Sequence, residues 1–195
     1  MRRGQEQIRH QIIAAARARF LKIGYGKTTM SELAEDCDIS PAHLYNFFSG
    51  KLDLAVAITE EESRYRRAEL AKILADDKSA QNILPAYFSR ELILNVEALE
   101  AHPGMQGLID LVRRKRPLVA EGLHRRLLKD LSLYLNKRIQ AKDVKSGDPF
   151  HLAEYLHQAT YAFRQPGFLA SHSAEDLLAL NAGVLDLLLS GIQKK

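Results

Sequence analysis

Side chains that could do chemistry are concentrated between residues 28 and 51, where threonine, serine, histidine, asparagine, tyrosine and lysine are interspersed with apolar residues. Such groups form hydrogen bonds with phosphates and with the edges of bases. Elsewhere, Glu154 and His157 have the spacing of two metal ligands on one helix face, but a di-metal bundle needs a second copy of this pair, which the sequence lacks. The sequence also lacks an H-E-x-x-H pair, a nucleophile elbow and a glycine-rich phosphate loop. We therefore expect a binding protein and not an enzyme, with no metal and no cofactor.

The composition predicts an all-α protein. Leu and Ala, which are strong helix formers, far outnumber the β-branched residues Val, Ile and Thr. Hydrophobic residues make up 46% of the chain, which excludes a disordered protein. The single cysteine, Cys37, excludes an intrachain disulfide, and the most apolar segment, Leu177–Ile192, is too short to span a bilayer. We expect a cytoplasmic protein that does not enter membranes.

Positive charge is concentrated at the N-terminus. In Met1–Lys27, seven basic residues accompany one acidic residue, Glu6, whereas the whole chain has a net charge of +4. This imbalance favours an anionic partner, with a solvated helix face as the alternative that charge alone leaves open. A second basic run, Arg113–Arg116, is explained most simply as a solvated helix end that complements the helix dipole, with an anionic ligand as the alternative.

Apolar spacing and capping signals predict two short helices after a first amphipathic one. Thr29 is expected to cap the first short helix, with Glu32 completing a capping box. Ser40 as the N-cap and Pro41 at the first helical position are expected to begin the second. A long helix from Lys51 to about residue 75 would join these elements mechanically to the rest of the chain. The other predicted helices cover about residues 6–23, 83–101, 105–115, 117–140, 150–164 and 174–192.

The two short helices have the pattern of a helix-turn-helix motif. Ala34 is the small residue where the two helices of such a motif nearly touch, and the positions around it that must be apolar are filled. The turn residue four places later has a left-handed backbone and is normally glycine, whereas here it is Asp38, which tolerates that conformation better than most residues. The apolar positions are Leu33, Cys37, Ile39, Leu44, Phe47 and Phe48.

Several short segments around this motif are specific in combination: the Thr28–Thr29 pair, the Leu-Tyr-x-x-Phe run that starts at Leu44, and the following Lys51. With them, residues 6–55 resemble the tetracycline-repressor (TetR) family of bacterial regulators. The resemblance implies an all-α homodimer in which an N-terminal three-helix helix-turn-helix DNA-binding domain, residues 1–51, is joined by a long helix to a helical ligand-binding and dimerisation domain, residues 52–195. Beyond residue 55 the likeness is one of architecture only.

Within this resemblance, the residue types of the motif predict contacts to double-stranded DNA. Thr28 and Thr29 lie at a helix N-terminus, which suits a phosphate, although Thr29 could serve only as a cap. Tyr45 and Lys51 are expected to hold the DNA backbone, and the histidine and asparagine of the second helix to hydrogen-bond base edges. Phe47 fits the protein core as well as a DNA contact. The predicted set is Thr28, Thr29, Ser40, Pro41, Ala42, His43, Tyr45, Asn46, Phe47 and Lys51.

The C-terminal part predicts a dimer interface and a ligand pocket. The last helix is apolar nearly all round, so one of its faces needs a partner, and the last two long helices suit the four-helix bundle of the family's dimer. The predicted interface residues are Leu152, Leu156, Phe163, Val184, Leu185 and Leu188. An apolar pocket is expected among the helices between about residues 83 and 164. Its candidate ligand-binding residues are Tyr87, Tyr134, Tyr155, Tyr161 and Arg164.

The sequence thus predicts a transcriptional repressor that binds a palindromic DNA operator as a homodimer and is released by an unidentified small-molecule effector. A ligand-independent DNA-binding regulator, or an activator, of the same fold is the alternative. A helical-bundle enzyme is disfavoured because an enzyme does not need a complete helix-turn-helix with phosphate-binding flanks. The expected location is the cytoplasm, in association with the nucleoid.

Overall fold

The computed structural model describes residues 2–192, and this part of the chain consists of helices joined by short loops, with no strand. It confirms the predicted all-α fold class. The helices are α1 (Arg2–Lys22), α2 (Met30–Asp36), α3 (Pro41–Tyr45), α4 (Lys51–Leu74), α5 (Ala80–Ala101), α6 (Pro103–Lys115), α7 (Pro117–Gln140), α8 (Pro149–Ala159), α9 (Pro166–Ala170) and α10 (Ala174–Ile192), with a 3-10 helix, Tyr161–Arg164, between α8 and α9.

Most helix ends follow local signals in the sequence. A proline at the first helical position opens α3, α6, α8 and α9, because its fixed φ suits a helix start and its missing N–H is not needed there. Helices α7 and α10 have the predicted bounds, 117–140 and 174–192. Local capping chemistry is therefore sufficient to place these ends.

Helices α1, α5 and α8 differ from the prediction, and the short α9 was not predicted. Helix α1 begins at Arg2 and not near residue 6. Helix α5 begins at Ala80 and not near residue 83, because the Asp143 carboxylate accepts a hydrogen bond from the Ala80 N–H at 2.6 Å. Helix α8 ends at Ala159 and not at residue 164. There the Thr160 hydroxyl donates to a backbone carbonyl of the preceding turn, and the chain continues as the 3-10 helix to Arg164.

The chain divides into two compact units. Unit 1 contains Met1–Ser63 and Ala101–Ala120, and unit 2 contains Arg64–Glu100 and Glu121–Lys195. Helix α4 is continuous and contributes residues to both units. Unit 1 therefore combines the helix-turn-helix with α6, although α6 follows α5 in the chain.

Apolar packing holds α6 in unit 1. Met105, Leu108 and Val112 are buried in one cluster with residues of α1, α2, α3 and α4. Burying a side chain of this size contributes about 1.5–3 kcal/mol. The other members of this core include Ile12, Ile13, Ala16, Phe20, Leu33, Ala34, Leu44, Phe48, Leu54 and Ile58.

Unit 2 is built from α5, α7, α8 and α10. The largest fully buried side chains of α5 are Tyr87 and Phe88, and those of α7 and α10 include Leu131 and Leu185. A smaller cluster joins Leu92 of α5 to the 3-10 helix, α9 and α10. Of the helices in residues 2–192, none combines the length and apolarity that crossing a bilayer requires.

Candidate nucleic-acid interface and buried polar cluster

Helix α2 begins with the predicted capping box. The Thr29 hydroxyl accepts a hydrogen bond from the Glu32 N–H at 3.2 Å, and the Glu32 carboxylate accepts one from the Thr29 N–H at 2.7 Å. The hydrogen bond from the Thr29 N–H, and after it one that the Thr29 hydroxyl donates to the same carboxylate at 2.8 Å, lower the pKa of Glu32. Arg19 of α1 donates to Asp36 at the end of α2 at 2.6 Å. Thr29 is exposed, so its role as a cap is compatible with a phosphate contact.

The turn between α2 and α3 has the backbone conformation that the motif requires. Asp38 has a φ of +53°, the left-handed conformation predicted for this position. The Ala34 carbonyl accepts hydrogen bonds from the N–H groups of Cys37 at 3.2 Å and Ile39 at 3.0 Å. Ala34 is completely buried, which is why a small residue is needed where the helices meet.

Replacing Asp38 with glycine is expected to raise stability, because glycine adopts a positive φ without steric cost. The left-handed conformation costs other residues about 1–2 kcal/mol, and the greater freedom of glycine in the unfolded chain offsets about 0.4–1 kcal/mol of the gain. The net result is a rise of about 1–4 °C in the Tm measured by circular dichroism. Asp38→Ala is the matched control and should lower the Tm. A lower Tm for Asp38→Gly would show that the carboxylate stabilises the turn more than the strain destabilises it.

Helix α3 is anchored on one side and open on the other. The Ser40 hydroxyl accepts a hydrogen bond from the His43 N–H at 3.1 Å, and Leu44 is completely buried. His43 is half-buried, with its ring packed edge-on against Phe47 at 5.3 Å. Phe47 in turn packs against the core of unit 1, which favours the core role for this residue. The exposed members of the predicted DNA-contact set on and next to α3 are Ser40, Pro41, Ala42, Tyr45 and Asn46.

Two residues predicted to bind phosphate form hydrogen bonds inside the protein. Thr28 is buried, and its hydroxyl donates to the Gly24 carbonyl at 3.0 Å. The Lys51 ammonium group donates to the carbonyl oxygens of Tyr25 at 2.9 Å and Thr28 at 2.6 Å. This arrangement holds the α1–α2 loop against the start of α4. The Thr28 hydroxyl and the Lys51 ammonium group therefore both have hydrogen-bond partners within the chain.

Part of the N-terminal positive charge is neutralised within unit 1. Arg17 lies 3.2 Å from Glu62, and Arg19 is paired with Asp36. The Arg9 guanidinium group lies over the Phe48 ring, 5.1 Å from its centre. The charge available to an anionic partner is therefore smaller than the sequence indicates.

Comparison with known proteins identifies the N-terminal motif. Residues 12–58 match the model of the tetR family of bacterial regulatory proteins. This range contains the complete helix-turn-helix and the start of α4. This N-terminal part of the chain is similar to the TetR family. The family model and the similar solved structures are those of transcriptional regulators, and not of enzymes.

Similarity to individual proteins extends over nearly the whole chain. The fatty acid metabolism regulator protein of Bacillus subtilis (strain 168) is 24% identical over 190 residues, which are 95% of each chain. A structure from Mesorhizobium loti, of a protein assigned to the TetR family, has a TM-score of 0.80 at 18% identity and covers 97% of this chain and 98% of its own. The structure of the transcriptional regulator FadR from Bacillus subtilis in complex with stearoyl-CoA has a TM-score of 0.68 at 19% identity. It covers 94% of this chain and 99% of its own.

Unit 2 contains a buried group of charged and polar side chains, which we call the Glu91 cluster: Glu91, His157, Thr160 and Arg164. Glu91 Oε1 lies 3.1 Å from His157 Nε2, and Glu91 Oε2 lies 3.2 Å from Arg164 Nη1. Arg164 also donates to the Thr160 hydroxyl and to the His157 carbonyl. Burial disfavours the carboxylate, but the charges of His157 and Arg164 outweigh it and lower the pKa of Glu91 to about 2. Glu91 is therefore an ionised group in the interior of unit 2.

Several buried groups of unit 2 have unused hydrogen-bonding capacity. The Tyr87 hydroxyl, His157 Nδ1 and both amide atoms of Asn181 have no hydrogen-bond partner among the described residues. Burial raises the pKa of Tyr87 well above its ordinary value, so its hydroxyl stays a donor. An unsatisfied buried polar group costs about 1–3 kcal/mol, which makes these groups candidate partners for a ligand.

The five residues predicted to bind a ligand lie in different environments. Arg164 belongs to the Glu91 cluster, and Tyr87 lies one turn before Glu91 on α5. The Tyr134 hydroxyl donates to the Lys78 carbonyl at 3.1 Å, so it fixes the turn before α5. The remaining two, Tyr155 and Tyr161, are 64% and 51% exposed. Tyr87 and Arg164 are thus the members of the set that lie in or next to the Glu91 cluster.

Three of the six predicted dimer residues are buried inside their own chain. These are Leu156, Phe163 and Leu185, which lie in the cores of unit 2. The other three, Leu152, Val184 and Leu188, are half-buried. The large side chains that α8 and α10 expose are not among the six predicted residues, because one face of the apolar α10 packs into the core of unit 2. The exposed large side chains are Tyr155, Leu178, Leu180 and Leu187.

The carboxylate beside His157 comes from another helix. It belongs to Glu91 on α5, and not to Glu154, its neighbour in the sequence. Within residues 2–192, no three side chains of the metal-ligating types converge as a metal site would require. Sequence reasoning missed Glu91, although a signal was present: it occupies the buried stripe of α5 with Tyr87 and Phe88. A charged residue in an apolar stripe indicates a buried partner.

Proposed function

We propose that the chain is a transcriptional repressor that binds a palindromic operator as a homodimer and releases it when a small molecule binds to unit 2. The observation that carries this proposal is the helix-turn-helix. Its α3 buries Leu44 and leaves Tyr45 and Asn46 exposed, which is the arrangement a helix needs to enter a major groove. The proposal places the protein in the cytoplasm, with the DNA that it binds.

Different residues of unit 1 position the protein on the DNA and read its sequence. The exposed Thr29 and the Lys51 N–H are proposed to bind phosphates, because they are donors at the positive end of a helix dipole. Tyr45 is proposed to bind a phosphate through its exposed hydroxyl. His43 and Asn46 are proposed to hydrogen-bond base edges, which is where sequence preference arises. Base contacts to thymine methyl groups are assigned to Pro41 and Ala42.

The dimer is proposed to form through the exposed face of α10. Leu180 and Leu187 are 45% and 76% exposed, and with Ala179 and Gly183 they line an open, mainly apolar groove of about 630 Å³. A second copy of this chain is the proposed occupant, because a two-fold interface applies the same apolar face twice and a palindromic site requires two-fold symmetry. Glycine at position 183 permits a close approach of the partner helix, since a Cβ there would have open space.

The effector is proposed to be a molecule with a long apolar part and a hydrogen-bonding group, such as a fatty acyl thioester. Two relatives support this class, one named as a regulator of fatty acid metabolism and one solved in complex with stearoyl-CoA. In this chain the apolar part would enter the core of unit 2. The polar group would use Tyr87, His157 or Asn181, whose hydrogen-bonding capacity is unused. The signal would reach unit 1 through α4, because this helix contributes to both units.

The experiment measures the affinity for DNA with and without the effector, and the affinity for the effector with and without DNA. A duplex of the intergenic DNA beside the gene is titrated with the protein, with and without saturating stearoyl-CoA. If the effector prefers the released state a hundredfold, the affinity for DNA falls a hundredfold, which corresponds to about 2.7 kcal/mol. By linkage, the duplex must weaken the binding of stearoyl-CoA by the same factor.

Coenzyme A without an acyl chain is the control ligand and should leave DNA binding unchanged. If stearoyl-CoA binds with equal affinity in the presence and absence of the duplex, release by this effector is refuted. The ligand-independent regulator of the same fold then replaces it. Failure of the protein to retard the intergenic duplex at all would refute the repressor assignment for that site.

A further inference from the structure

The basic run at the end of α6 has no role in the helix-turn-helix described above. Its side chains, Arg113 to Arg116, are exposed. Arg113 is paired with Asp110 at 2.9 Å, whereas Arg114 and Lys115 form no ion pair with any residue that the structure describes. Val112, directly before the run, is completely buried in the core of unit 1. The run is therefore held firmly on the unit that contains the DNA-binding motif.

Arg116 lies beside the start of α4. Its Nη2 is 3.8 Å from Oδ1 of Asp53, which belongs to the first turn of that helix. Lys51, at the first position of α4, holds the Tyr25 carbonyl at 2.9 Å. The pKa of Tyr25 is raised mainly by burial, and the charge of Arg116 acts in the opposite direction. Arg116 thus shares one neighbourhood with the α1–α2 loop and the N-terminus of α4, which we propose to meet the DNA backbone.

We propose that the Arg113–Arg116 run is a second contact to the DNA backbone, next to the phosphates at the start of α4. The inference rests on DNA binding through the helix-turn-helix. Duplex DNA carries one negative charge per about 1.7 Å of axis, so a duplex that meets α3 and the start of α4 presents further phosphates to any cation nearby. Lysine and arginine on flexible stems contact phosphates without reading bases, so this contact adds affinity for all sequences equally.

A solvated helix end accounts less well for the same residues. One or two positive charges in the last turn are enough to complement the helix dipole, and the effect fades within that turn. This run has four consecutive cations, which repel one another, and Arg116 lies after the last residue of α6. Its nearest carboxylate, Asp53, is 3.8 Å away and leaves the guanidinium group 48% exposed. An arrangement of mutually repelling, exposed cations is expected where an anionic partner compensates the repulsion.

The experiment compares the salt dependence of DNA binding in charge-matched variants. The test variant is Arg114→Gln/Lys115→Gln/Arg116→Gln, and the control, Arg125→Gln/Arg126→Gln/Lys129→Gln, removes three exposed cations from α7 in unit 2. A fluorescein-labelled 40-base-pair duplex of arbitrary sequence is titrated between 50 and 200 mM salt. The test variant should bind about tenfold more weakly at 50 mM, and the slope of log K against log salt should be smaller by about 0.9 for each phosphate that the variant no longer binds.

The control variant should keep the slope of the parent protein. Equal affinity and slope for the test variant and the parent would overturn the inference. An equal decrease in affinity for the test and control variants would also overturn it, because DNA binding would then depend only on the net charge of the protein. The double variant Arg114→Gln/Lys115→Gln removes two cations that form no ion pair within the described residues, so the fold should be unaffected. It should show part of the decrease in affinity and in salt slope that the triple variant shows. A parent protein that does not bind the duplex at 50 mM salt would overturn both this inference and the proposed function, whereas normal binding by all variants would overturn this inference alone.

Discussion

Exchange of Tyr45 for alanine together with Lys51 for methionine is expected to weaken DNA binding about a hundredfold or more. A hydrogen bond to a charged group contributes about 1.5–3 kcal/mol, and the Tyr45 hydroxyl is proposed to donate one to a phosphate. The Lys51 backbone N–H, the other proposed phosphate donor, is kept by methionine. Lys51 has a second role, because its ammonium group holds the carbonyls of Tyr25 and Thr28 and thereby positions the start of α2. The decrease in affinity should apply to all sequences alike, and the salt slope should change little, because the Lys51 ammonium group binds two carbonyls and not a phosphate. Fluorescence anisotropy across a salt series measures both.

The matched control for this variant is Tyr65→Ala. Tyr65 is 54% exposed, as Tyr45 is 53% exposed, but it lies on the part of α4 that belongs to unit 2. The Tyr65→Ala protein should bind DNA with the affinity of the parent protein. His43→Ala or Asn46→Ala should instead relax the preference at one base pair, at a cost of about 1–3 kcal/mol. Unchanged binding by the Tyr45→Ala/Lys51→Met protein would refute the assignment of the DNA-binding face.

Two glutamate substitutions on α10 are expected to have opposite consequences, although they are only two residues apart. Leu185 is 1% exposed and faces the core of unit 2, so Leu185→Glu should unfold that unit, because an unpaired buried charge costs several kcal/mol. Leu187 is 76% exposed on the proposed dimer face. Leu187→Glu should therefore leave the fold intact and convert the dimer to a monomer. Circular dichroism reports the fold, and sedimentation velocity reports the mass.

Each outcome tests a separate claim about α10. A Leu185→Glu protein with the Tm of the parent would contradict the packing of this helix. A Leu187→Glu protein that sediments as a dimer would exclude the exposed face of α10 as the interface. Leu187→Ala is the control for size, since it shortens the side chain without adding a charge, and it should weaken the dimer less than the glutamate does.

The helix-turn-helix could be predicted from the sequence in detail because its signals are local. Thr29 and Glu32 are three residues apart, and the capping box they form depends only on the first turn of α2. The left-handed conformation of Asp38 follows from its place in a short turn that must bring α3 back against Ala34. Ser40 and Pro41 begin α3 in the same way.

The roles of individual side chains in the site were less predictable, because they depend on residues far away in the chain. Lys51 donates to carbonyls 23 and 26 residues earlier, which no local pattern indicates. The partner of His157 is Glu91, and not the nearby Glu154. The residues that α10 exposes also could not be separated from those it buries, because a helix that is apolar nearly all round carries no stripe that marks its inner face.

The sequence by itself determined the all-α fold class, the helix-turn-helix with its caps and turn, and most helix ends, because propensity, capping and apolar spacing act within one or two helical turns. The tertiary structure alone decided that α6 packs with the DNA-binding helices through Met105, Leu108 and Val112, and that Arg116 lies beside Asp53. It also decided that Glu91 meets Arg164 and that Leu185, and not Leu187, is buried. Which apolar face meets which other one depends on the packing of complete helices, and the order of residues along one helix does not specify it.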